Sequence, residues 1–273
     1  MKNTAQTTQS LSQIALDKAS YPLASHMILA FLAGVYIAFG AALAIKVTGN
    51  LSPDLGNLTK LIFGALFPVG LLMVLMAGAS LFTGDVMYMG AGLIKREVGI
   101  RRCTSFLILS YVGNFVGSVF LAWLIFESGV LMDKSGGSYP LAQSAVGIAN
   151  LKCSLPFLEA FLRGILCNWL VCLAIFMSLT SETAVSKAVL MWPPITAFVA
   201  LGMEHSVANM FFIPLGLFMG NSPEVIESGV TLTATCKTFL VDNLIPVTLG
   251  NIVGGIIFVS LPYVLVSKSN PQK

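Results

Sequence analysis

The sequence predicts an all-α membrane protein of six transmembrane helices, arranged as two inverted three-helix repeats with helices two and five broken. Three observations lead there. Of 273 residues, 56% are apolar and only 10% charged, with mean hydropathy +0.87, whereas soluble domains carry about a quarter charged residues. Six uncharged runs approach the roughly 20 residues that a helix needs to cross a bilayer. The pentapeptide Gly113-Asn114-Phe115-Val116-Gly117 returns as Gly250-Asn251-Ile252-Val253-Gly254.

The runs cover residues 27–45, 61–84, 103–126, 164–181, 188–203 and 243–267. The fourth starts earlier, near Leu155, and so takes in Glu159 and Arg163. Helices satisfy backbone polar groups in lipid, and no alternating strand pattern suggests a barrel. Two runs do not stop cleanly. Asp85 is followed by a further uncharged stretch to Ile94, and Glu204-His205 by another to Pro223. Each reads as a long helix joined at a polar point to a half-length piece. The alternative is a membrane boundary with an interfacial segment, but the pattern occurs twice, as in transporters whose broken helices meet at midplane. Both copies of the pentapeptide contain GxxxG, which lets helices pack closely. With three helices per half, the halves must be inverted.

Residues 1–26 form an amino-terminal segment, in which residues 11–26 can make a short amphipathic helix on the cytoplasmic face. Residues 27–267 are the six-helix transmembrane domain, and 268–273 a short cytoplasmic tail. No apolar core lies in the first 25 residues, so no cleaved leader is expected. The basic cluster Lys95-Arg96 and Arg101-Arg102 joins spans two and three. Placed in the cytoplasm by the positive-inside rule, it puts both termini there, in a multi-pass protein of the cell membrane. His26, at the start of span one, reads as an interfacial residue. The loop of residues 127–156 carries a turn at Lys134-Ser135-Gly136-Gly137-Ser138.

A net charge of +3 is too small for a nucleic-acid surface. The five cysteines lack metal-like spacing and read as small apolar packing residues, and two histidines cannot build a usual zinc site. Hydrolase, nucleotide and zinc-protease motifs are missing, so neither an enzyme nor a metal or other cofactor is expected. Ionisable groups at membrane depth are the functional candidates. Glu204 and His205 share a break, Asp85 follows the other, and Glu159 and Arg163 at i, i+4 form a mutual ion pair. Lys152 precedes them and has only Glu159 at helical spacing. A lysine at a vestibule gathers anions, and a histidine at a break can hydrogen-bond or carry a proton.

Four stretches carry a family resemblance: Leu81-Phe82-Thr83-Gly84; residues 168–174, Asn-Trp-Leu-Val-Cys-Leu-Ala; residues 202–210, beginning Gly-Met-Glu-His-Ser; and residues 243–251, beginning Asn-Leu-Ile-Pro-Val. With them the chain resembles the formate/nitrite transporters over nearly its whole length. The resemblance implies an aquaporin-like fold, a homopentamer with one pore per protomer, and passage of a small monovalent anion through the lipid bilayer. Formate is the expected anion, with nitrite or hydrosulfide as the alternative. Two Asn-Pro-Ala motifs would mark an aquaporin-like neutral-solute channel instead, and neither occurs. The resemblance places Thr83, Lys152, Asn168, Glu204, His205 and Asn251 on the substrate pathway. It places apolar constrictions at Phe67, Leu71, Leu81, Phe82 and Phe198. No transport role is expected for Asp85.

Overall fold

The computed structural model describes residues 1–269. Its helices are α1 (Thr4–Ala19), α2 (Leu23–Thr48), α3 (Asn57–Leu66), α4 (Pro68–Met76), α5 (Phe82–Ile94) and α6 (Ile100–Glu127). There follow α7 (Pro140–Cys153), α8 (Phe157–Leu179), α9 (Ala184–Ala200), α10 (Ser206–Gly220), the short α11 (Pro223–Glu227) and α12 (Thr238–Ser269). Among the described residues five stretches are long and apolar enough to cross a membrane: α2, α3 with α4, α6, α8 and α12. α9 and α10 are apolar but shorter.

Local chemistry explains the irregularities. Pro68 has no N–H, so the chain bends between α3 and α4, while Phe67 N–H still reaches Phe63 O at 3.2 Å. In α12, π-type turns at Thr238–Leu244 and Ile256–Ser260 each end just before a proline, Pro246 and Pro262. Each proline ring crowds the carbonyl four residues back and disturbs the α-helical ladder there.

α2 packs along α6, and α8 along α12. The repeated pentapeptide makes both approaches possible. A Cβ on Gly117 would sit 2.0 Å from Phe31 O, and one on Gly254 2.4 Å from Ile165 O. No side chain larger than hydrogen fits at either crossing.

Both interruptions sit where a glycine turns left-handed. Gly78 and Gly202 each have φ +69°, a conformation L side chains rarely adopt. The turns share a bond: Ala79 N–H donates to Val74 O and Met203 N–H to Phe198 O. Residues 77–81 therefore separate α4 from α5. The expected join at Gly84 and Asp85 was placed too late, and both of those residues lie in the first turn of α5. Residues 201–205, which include Glu204 and His205, separate α9 from α10.

Four further expectations need correction. α1 does not lie on a surface by an apolar face: Thr7, Thr8, Leu11, Ser12, Ala15 and Lys18 are buried where it packs on α5 and α12. The supposed loop of residues 127–156 contains the 14-residue helix α7. The expected tail is helical at Lys268 and Ser269, and its remainder, residues 270–273, lies outside the described residues. α2 begins at Leu23, inside the expected amino-terminal segment.

Candidate transport site

Two asparagines hold the interruptions open. Asn114 on α6 accepts from Phe82 N–H at 2.8 Å, and its Nδ2 donates to Ala30 O at 2.7 Å and Ser80 O at 2.9 Å. Asn251 on α12 accepts from Ser206 N–H at 2.9 Å and donates to Gly164 O at 2.8 Å and Glu204 O at 3.0 Å. Each asparagine thus satisfies the first N–H of a half-helix and one carbonyl released in the interruption, and ties both to a carbonyl of a neighbouring helix, Ala30 of α2 or Gly164 of α8. A buried backbone group left unpaired is costly, which is why an amide with both donor and acceptor stands at each place. Asn251 is fully buried and committed to backbone groups.

The half-helices start close together. His205, the N-cap of α10, accepts at Nδ1 from Ala208 N–H at 3.0 Å. Its Nε2 lies 3.0 Å from Thr83 Oγ1 in the first turn of α5. Because Nδ1 accepts, a neutral ring carries its proton on Nε2 and donates it to Thr83. Asn168 on α8 braces the same place, donating to Thr83 O at 3.1 Å and Asn251 O at 2.6 Å. Its Oδ1 is buried without a partner among the described residues.

Cavities open on either side of this contact, at opposite ends of α8 and α9. One, of about 330 Å³, is lined by Phe67, Lys152, Phe198, Glu204, His205 and Phe212 among others. Phe198 lies nearly parallel to His205 at 5.9 Å and meets Phe67 edge-on at the same distance. The other, of about 230 Å³, is lined by Lys18, Leu81, Gly84, Asp85, Tyr88 and Lys187 among others. Each holds a buried ion pair. Lys152 Nζ is 2.9 Å from Glu204 Oε1, whose other oxygen accepts from Asn209 at 2.6 Å and Asn243 at 3.3 Å. Lys18 Nζ is 2.9 Å from Asp85 Oδ1, whose other oxygen accepts from Ser80 and Ser110, each at 2.8 Å.

Of the residues singled out in the sequence, Thr83, Asn168, Glu204, His205 and Asn251 therefore come together, with Lys152 on Glu204. Lys152 has a partner that sequence spacing did not offer. Glu159 and Arg163 pair with each other, half-exposed. Phe67 and Phe198 line one cavity and Leu81 the other. Leu71 is buried in the core between, while Phe82 packs edge-on to Tyr111 and lines an apolar groove among α5, α6 and α12. His26 is not interfacial. It is buried, stacked on Phe106 at 3.8 Å, with Nε2 2.9 Å from Ser110 Oγ. Ser110 gives its proton to Asp85, so His26 Nε2 is the donor to Ser110.

Sequence reasoning missed Lys18, Asn114, Asn209 and Asn243. Asn114 was in view, since it is the second residue of the repeated pentapeptide whose counterpart is Asn251. Lys18 carried a spacing signal: it stands five residues before the start of α2, as Lys152 stands five before α8.

Cavities that converge from two ends of a membrane-embedded bundle on one buried contact define a class, the membrane transport proteins. The chain belongs to the formate/nitrite transporter family, which it matches over residues 5–265. It is 43% identical to a probable formate transporter of Methanothermobacter thermautotrophicus, with 96% of each chain covered. It is 34% identical to the nitrite transporter NirC of Escherichia coli strain K12, covering 92% of this chain and 87% of that one. Among solved structures it is similar to a pentameric formate channel with formate bound, at TM-score 0.80 and 30% identity, covering 89% of this chain and 97% of that one. An FNT family ion channel matches at TM-score 0.80 and 32% identity, covering 96% and 98%.

Proposed function

We propose that this protein passes formate across the cell membrane through a pore in each protomer of a homopentamer. In this reading α3–α4–α5 is the broken second span and α9–α10 the broken fifth, which makes six spans in two inverted, aquaporin-like halves. Both termini lie in the cytoplasm, where the basic residues between α5 and α6 hold them.

The observation that carries the reading is the Thr83–His205 contact, buried between two cavities that carry lysines. The pathway runs past Lys152 and Glu204, between Phe67 and Phe198, across Thr83 and His205 beside Asn168, and out past Leu71 and Leu81. Asn251 shapes it by holding the second interruption. A bare carboxylate in such an apolar ring loses its water at a cost of tens of kcal/mol by continuum electrostatics. The neutral acid crosses far more easily, so formate moves with a proton. His205 Nε2–H supplies a hydrogen bond where water is excluded, and the half-helix N-termini add positive potential.

The probable formate transporter among the relatives supports formate, and NirC supports nitrite as the second reading. A flux panel in proteoliposomes with formate, nitrite, hydrosulfide and glycerol decides between them. Formate faster than nitrite upholds the proposal, and glycerol passage without anion passage overturns it.

A further inference from the structure

We infer that the charges drawing the anion into the pore are not the buried lysines but two rim lysines, Lys60 and Lys187. The inference rests on the transport reading above and concerns how the substrate is collected. Lys152 and Lys18 are each 2.9 Å from a buried carboxylate. An ion pair has no net charge, so its field on an approaching anion fades much faster than that of a single cation. Arg163, which also lines the first cavity, is paired with Glu159. Of the Lys and Arg side chains lining the first cavity, Lys60 remains without an ion pair, and of those lining the second, Lys187. Neither makes an ion pair or side-chain hydrogen bond among the described residues.

Their placement repeats. Lys60 is the fourth residue of α3 and Lys187 the fourth of α9, the helices that lead into the two interruptions. Each therefore stands at the mouth of one cavity, a full cation beside walls of low polarity that concentrate its field. The paired lysines remain donors deeper in, beside the apolar rings.

The test is uptake of radiolabelled formate, far below saturation, into phosphatidylcholine proteoliposomes at about 10 mM and about 150 mM ionic strength, where the screening length falls from roughly 30 to 8 Å. Wild-type uptake should slow with added salt. K60Q and K187Q should each lower low-salt uptake by roughly threefold, the enrichment one charge gives at about 7 Å in water. The double variant should lose the salt dependence, and K60R/K187R should keep it. A double variant that retains wild-type salt dependence overturns the inference, as does its loss in K60R/K187R, which would mean packing and not charge. Uptake without any salt effect in the wild type overturns this inference alone. No wild-type uptake of formate, nitrite or hydrosulfide overturns the transport reading with it.

Discussion

His205 Nε2 stands 3.0 Å from Thr83 Oγ1, so an imidazole–hydroxyl contact joins the start of α10 to the start of α5. The other ring nitrogen is occupied as the cap of α10, accepting from Ala208 N–H at 3.0 Å. An imidazolium would set its Nδ1–H against that N–H and undo the cap. The geometry holds the ring as a neutral donor toward Thr83 and ties any protonation of it to the start of the half-helix.

His205→Asn keeps a side chain able to cap and to donate, so the variant should assemble and still pass formate. Because the cap holds the imidazole neutral, its replacement should leave the pH dependence of uptake between pH 5 and 8 unchanged. Uptake with an internal pH dye reads both. A wild-type pH profile in His205→Asn would mean that the proton comes from the substrate or from water. His205→Ala, with no cap, should in addition lose about 1 kcal/mol of stability.

Asn251→Ala strands Ser206 N–H and Glu204 O, and Asn114→Ala strands Phe82 N–H and Ser80 O. At about 1–3 kcal/mol for each buried unpaired group, either change should cost roughly 2 kcal/mol or more. Thermal unfolding in detergent should show similar losses for both. A harmless Asn114→Ala would show that the first interruption is held by other contacts.

Lys152→Met leaves Glu204 buried without its cation. Breaking such a pair from one side costs about 3–5 kcal/mol, whereas replacing both partners is often close to neutral. The double variant Lys152→Met, Glu204→Gln should therefore melt well above the single one. Equal melting temperatures would mean that Asn209 and Asn243 satisfy the carboxylate unaided.

The assembly prediction is a mass. Light scattering of the purified protein, after subtraction of detergent, should give close to five times the 29.0 kDa chain. A stable monomer or dimer contradicts the pentamer.

The apolar spans were legible because lipid imposes length and composition, and the second interruption because Glu204 and His205 mark it. The first was misplaced because its cause carries no charge: Gly78 turns the chain inside the apolar run Met76-Ala77-Gly78-Ala79. α7 was hidden for a different reason. It is only 14 residues long, and Gln143, Ser144, Asn150 and Lys152 interrupt its apolar residues, so it lacks the hydropathy of a span. The partners of Lys152 lie 52 and more residues away, and no periodicity reports a contact between distant helices.

The placement of Lys18 bears on what the amino terminus is. α1 and its lysine stand before α2 as α7 and Lys152 stand before α8, so the likeness between the two halves of the chain reaches back to α1, one helix earlier than hydropathy suggests. Cutting away the first nineteen residues would then not unplug a finished pore. It would leave Asp85 as a solitary acid in the wall of a cavity that an anion must cross, and the shortened protein would repel its own cargo.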